Sequence, residues 1–133
     1  MSGLVVRDVE VRAGDRSIVT GAGFTAPAGR MTALLGPNGA GKSTLIGALI
    51  GQRRLRVGTV RFDGVDLAAM PPAQRAKLCA YVEQVATTTE RLTVRDVVAL
   101  GRVPFQSAWQ AAPSEADETI VADALVRLSI TDF

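Results

Sequence analysis

Apolar positions recur along the chain in two rhythms, one of strands and one of helices. Residues 4–11, LVVRDVEV, are rich in β-branched side chains and give way to polar residues 12–17 around Gly14, the pattern of a strand and its turn. A second strand is predicted over 18–26. After Pro27 and Gly29 the short apolar run Met31-Thr32-Ala33-Leu34-Leu35 stops at Gly36, as a strand buried on both faces would. A glycine-rich loop leads into a predicted helix over 42–50, closed by Gly51. Strand, loop and helix in that order make the first half of a parallel βαβ unit.

Beyond the basic cluster Arg53, Arg54 and Arg56, residues 58–67 read as a hairpin turning on Asp63-Gly64. Pro71-Pro72 opens a polar helical turn that runs to Lys77, and residues 78–84 again have strand character. Thr93-Val94-Arg95-Asp96 has the form of a capping box and starts a helix that runs to Leu100 or Gly101. A loop over 102–113 carries Trp109, which reads either as a local cluster residue or as part of an interface. Ser114 caps a last helix, with Ile120, Val121, Ala124, Leu125 and Leu128 on one apolar face.

The chain has 133 residues, 47% of them apolar and 21% charged, which suits a globular domain and excludes disordered or fibrous classes. Its net charge of +2 is spread rather than gathered into a stripe, so no nucleic-acid partner is expected. With no histidine and one cysteine, Ser-His-Asp and Cys-His nucleophilic sites and His/Cys zinc sites drop out. Cys79 cannot form an internal disulfide and reads as a small core residue. The first eleven residues have no charged-then-apolar leader, so a cytosolic location is expected. No apolar run approaches the roughly 20 residues that span a bilayer.

The chemistry is concentrated in one stretch. Gly36, Pro37, Asn38, Gly39, Ala40, Gly41, Lys42, Ser43 and Thr44 satisfy G-x-x-x-x-G-K-[ST], after a predicted buried strand and before a helix. Glycines let the backbone wrap phosphates with N–H groups pointing inward, and the helix N-terminus adds its positive end. Lys42 is predicted to reach the β- and γ-phosphates of ATP, the Ser43 hydroxyl to ligate Mg²⁺, and Thr44 to add an α-phosphate contact. Guanine-reading GTPases are disfavoured: they need an Asn-Lys-x-Asp motif, and the only asparagine is Asn38.

The loop text GPNGAGKSTL, Ile50-Gly51, Gly58-Thr59-Val60 with Asp63-Gly64, and Tyr81-Val82-Glu83-Gln84 stand in the order found in ATP-binding cassette proteins. Over nearly its whole length the chain resembles the nucleotide-binding subunit of a transporter of that family. The resemblance implies an α/β P-loop fold with a mixed sheet, residues 1–84 forming the nucleotide-binding part and residues 85–133 the start of a helical subdomain. It makes Gln84 the glutamine that contacts Mg²⁺ and the attacking water and links the site to the membrane partner. A neutral amide suits that task because it orients water and ligates metal without adding charge.

The segment TVRDVVALGRVP at 93–104 is similar to that of importers for iron-siderophores, haem and cobalamin. The implied partners are a transmembrane permease and a second ATP-binding subunit, with the membrane touched only through the permease on the inner face. Where the family stacks an aromatic residue on adenine, Arg12 stands, which reads either as a solvated arginine or as a guanidinium plane for the base. The family's signature, Walker B run with its catalytic Glu, and switch histidine find no match in these residues; Thr119-Ile120-Val121-Ala122-Asp123 comes nearest and reads as helix. The chain thus resembles the N-terminal part of an import ATPase. A non-catalytic nucleotide-binding fragment is the alternative, and a soluble cassette ATPase of DNA repair is disfavoured by the short spacing from Lys42 to Gln84.

Overall fold

Two long antiparallel strands frame the fold in a computed structural model that describes residues 3–85, 91–106 and 112–130. The first, β1 (Gly3–Ala13), pairs with β2 (Arg16–Pro27) on one side and with β3 (Val57–Phe62) on the other, and β3 pairs with β4 (Val65–Asp66). The order is β2-β1-β3-β4, every pairing antiparallel. The helices are α1 (Lys42–Leu49), α2 (Pro72–Ala76), α3 (Val94–Leu100) and α4 (Glu115–Arg127), with a 3₁₀ turn at Val103–Phe105. Residues divide into two compact units, Met1–Arg75 and Ala76–Phe133.

The core of the first unit depends on one irregularity. Strict alternation from Val6 would send Val9 and Val11 to the opposite face of β1. Asp8, at φ 49, and register shifts on both sides of the strand mark a β-bulge, and the added residue turns Val9 and Val11 back to the side of Val6. Those three and Val60 are the most deeply buried large side chains, and Leu45, Ala48 and Leu67 complete the core. At the β3–β4 hairpin Asp63 and Gly64 both have positive φ, 49 and 85, the backbone of a type I′ turn. Asp63 Oδ1 also accepts from the Gly3 N–H at 2.5 Å and so ties the turn to the start of β1.

Helix α1 ends as its sequence predicts. Gly51 is left-handed at φ 77, its N–H donates to Ala48 O at 3.1 Å, and Gln52 N–H donates to Gly47 O at 2.8 Å, the paired bonds of a Schellman motif. In the second unit the predicted capping box of Thr93 with Asp96 forms ahead of α3, and Ser114, predicted as the cap of α4, forms a second box with Asp117. Arg95 pairs with Glu118, and Arg102 Nε donates to Asp117 Oδ1 at 2.7 Å, so α3 and the turn after it are tied to α4. Val121 and Leu125 are buried, whereas Ile120 and Leu128 of the expected apolar face are exposed.

The carboxyl groups in the two boxes are both held below the ordinary 3.8: Asp96 first by the Thr93 hydroxyl, Asp117 first by the Ser114 hydroxyl and then by Arg102. A folded-state pKa depressed in this way contributes stability that is present above the unfolded value and is lost as pH falls through the folded one. Helical signal from the second unit is therefore expected to weaken in acid, beginning below about pH 4. Circular dichroism of the wild type and Asp117→Asn checks this: the variant starts less stable at neutral pH and loses less on acidification.

Two expected strands are absent. Residues 31–35 carry no pairing and are exposed, Met31 at 99% and Leu35 at 87%. Residues 78–84 likewise lack regular structure; Val82 is 91% exposed, and Cys79 is half-buried rather than core. An apolar run becomes a central strand only where neighbours on both sides complete its ladder, and the described sheet ends at β2 and β4. The expected parallel pairing is accordingly not seen among the described residues. Thr119–Asp123 lies within α4, as its sequence predicts. Trp109 lies outside the described residues.

Candidate phosphate-binding site

The loop from Gly36 to Gly41 is held by its own backbone and by β2. Ala40 N–H donates to Pro37 O at 3.3 Å, and Gly39 is left-handed at φ 82. Gly41 is the N-cap of α1 at φ 88, and a Cβ there would stand 3.1 Å from Ile18 O and 3.2 Å from Val19 Cγ2. Glycine is needed at 41 on both counts, for the conformation and for the close approach. Ile18 and Val19 thus back the loop, a role that no local pattern announces.

Lys42, the first residue of α1, folds over the loop. Its ammonium donates to Gly36 O at 2.7 Å and to Pro37 O at 2.8 Å, which engages two of its three donors. No side chain caps the N-terminus of α1, and no acidic residue stands in its first turn. The free N–H groups, the positive end of the helix and the lysine charge therefore face one region, with no acidic side chain in that first turn to offset them. The exposed Ser43 hydroxyl and the half-buried Thr44 follow. Chemically this donor set is an anion cradle, and it fits a polyphosphate with its metal: one hydroxyl offers a hard oxygen ligand, and phosphate oxygens and water supply the remainder of a Mg²⁺ shell.

Gly36, Pro37 and Lys42 are brought together, with Asn38, Gly39, Ala40 and Gly41 closing the loop between them and Ser43 and Thr44 on the first turn. Gln84 belongs to the second unit, exposed in a segment without helix or strand. Arg12 lies in the β1–β2 hairpin, where Nη2 donates to Asp15 O at 3.0 Å. Asp63 and Asp66 are both bound to backbone N–H groups, of Gly3 and Ala68, and among the described residues no group of three acidic or cysteine side chains converges as a metal site.

The fold has a solved counterpart in the ATP binding subunit of an ABC transporter, with a TM-score of 0.75 and 28% identity over 97% of this chain and 51% of that one. A profile of the ABC transporter family matches residues 19–133, and the chain belongs to that family. Among curated relatives, the hemin import ATP-binding protein HmuV of Pseudomonas fluorescens (strain Pf0-1) is 37% identical over 122 residues, covering 92% of this chain and 46% of that protein. The "Probable siderophore transport system ATP-binding protein YusV" of Bacillus subtilis (strain 168) is 34% identical over 133 residues, all of this chain and 48% of that protein. The chain spans about half the length of the curated relatives it matches. No described helix is long and apolar enough to cross a membrane.

Proposed function

We infer that this chain supplies the phosphate-binding part of an ATPase subunit that drives import of haem or an iron-siderophore. The observation that carries the reading is the glycine loop closed by Lys42 at the uncapped start of α1. Two further supports are the family membership and the names of the relatives. In this reading the loop amides and Lys42 hold the β- and γ-phosphates of ATP and stabilise charge that develops on them in hydrolysis. Ser43 and Gln84 hold Mg²⁺, which, when bound, supplies charge neutralisation between the phosphates. Gln84 also orients the attacking water and passes the state of the site to a transmembrane permease. A second ATP-binding subunit pairs with this one, and the protein sits on the inner face of the membrane through the permease.

Mg-ATP titrated calorimetrically into the 133-residue chain is expected to bind at one site, and phosphate release from the same sample is expected to stay at background. That division follows because, by the resemblance, the base for hydrolysis and the signature that closes over the loop lie outside these residues. Absence of binding would overturn the phosphate-cradle reading. Steady turnover that depends on Lys42 would overturn the assignment of the base to residues elsewhere.

A further inference from the structure

At the opposite end of α1 from the phosphate loop, three arginines line one pocket of about 330 Å³ with Ala48, Gly51 and Leu67. They are Arg53, Arg54 and Arg75, and among the described residues no carboxylate lines the pocket with them. Arg75 is fixed from the α2 side: its Nη1 donates to Leu67 O at 3.1 Å and Met70 O at 3.4 Å, and its Nη2 to Gly51 O at 3.5 Å. Its guanidinium also packs against Gly51. The stem of Arg53 runs over Gly47, where a Cβ would meet its Cγ at 3.6 Å, so α1 presents a smooth face on which that side chain lies. Among the described residues none of the three has an ion-pair partner, in contrast to Arg56, which pairs with Glu10 at 3.2 Å.

Cations at a helix C-terminus have an ordinary explanation in the carbonyl end of the dipole. That end carries roughly half a negative charge, against three guanidinium groups. The hydrogen bonds of Arg75 to the Gly51, Leu67 and Met70 carbonyls account for its placement, and the charges of Arg53 and Arg54 remain as surplus. A pocket near the small end of the roughly 300–1,000 Å³ range of ligand sites, with three arginines in its lining, matches a compact anion.

We propose that this pocket is a second anion site, separate from the loop at Lys42, which takes a phosphate or phosphomonoester group. The group has two sources, a soluble phosphate compound and an anionic lipid headgroup, and the recognition chemistry is the same for both. The proposal does not depend on the nucleotide reading of the Lys42 loop.

The test uses the Lys42→Ala chain, so that the first cradle does not contribute, and pyrophosphate as the probe. Calorimetry is expected to show saturable binding at one site, weakened about tenfold or more by adding Arg53→Gln and Arg54→Gln. Both substituted side chains are exposed, so the fold is not at stake; a circular dichroism spectrum confirms it. No saturable heat in Lys42→Ala, or heat that the glutamine pair leaves unchanged, overturns the proposal. Co-sedimentation with phosphatidic acid vesicles, whose headgroup is a phosphomonoester, and with phosphatidylcholine vesicles then separates the sources. Retention on the anionic vesicles alone, lost with the glutamine pair, assigns the headgroup; pyrophosphate binding without retention assigns the soluble compound.

Discussion

Lys42→Ala is expected to weaken Mg-ATP binding by about 100-fold or more, because a charge-assisted contact to phosphate and the clasp of the loop are lost together. The ammonium bridges the Gly36 and Pro37 carbonyls at 2.7 and 2.8 Å and keeps a third donor for a phosphate oxygen. Without it, those carbonyls are left to water and the loop has one tie fewer at the place where its amides must converge. Far-UV circular dichroism is expected to match the wild type, since the lysine ammonium bonds to exposed loop carbonyls. Calorimetry decides: an affinity within about twofold of the wild type would remove the lysine from the site.

Gly58→Ala has the largest expected effect on stability, about 3 kcal/mol out of the 5–15 typical of a whole domain. Gly58 sits in β3 opposite the bulge of β1 at φ 94, and an added Cβ would fall 2.5 Å from both the Arg7 and the Asp8 carbonyl oxygens. Neither oxygen belongs to a flexible side chain, so relief requires moving the ladder itself. Gly64→Ala is the control. That residue is also left-handed, at φ 85, but nothing stands within 4 Å of its missing Cβ, and a cost of about 1 kcal/mol is expected from conformation alone. Thermal melts of the two variants check the difference, with a drop of more than about 10 °C expected for Gly58→Ala. Equal midpoints would show that β1 yields at the bulge.

What could be read in the sequence was what is determined locally. The Asp63-Gly64 turn, the Gly51 stop of α1, the box at Thr93 and the cap at Ser114 each depend on residues within a few positions of one another, and each forms as read. The glycine loop that Lys42 closes at the start of α1 was legible for the same reason, since its residues stand within a few positions of one another. The bulge at Asp8 was not, because it exists only in pairing with β2 and β3, whose register no run of β1 residues states. Residues 31–35 and 78–84 have the composition of buried strands, yet composition cannot provide the neighbours that turn such a run into a strand. Ile18 and Val19 escaped notice as supports of the loop, since their contact with Gly41 joins positions more than twenty residues apart.

The bulge gives β1 a reading frame. Valines on either side of Asp8 are in different phases of the two-residue repeat, and the added residue brings them to one face, much as a frameshift restores a message. Position 8 is therefore constrained in number before it is constrained in kind. Any residue that accepts a left-handed backbone keeps the frame, whereas deletion of Asp8 would turn Val9 and Val11, two of the four most buried side chains, out of the core. Length tolerance in this strand is thus narrower than its substitution tolerance, the reverse of what an exposed aspartate suggests.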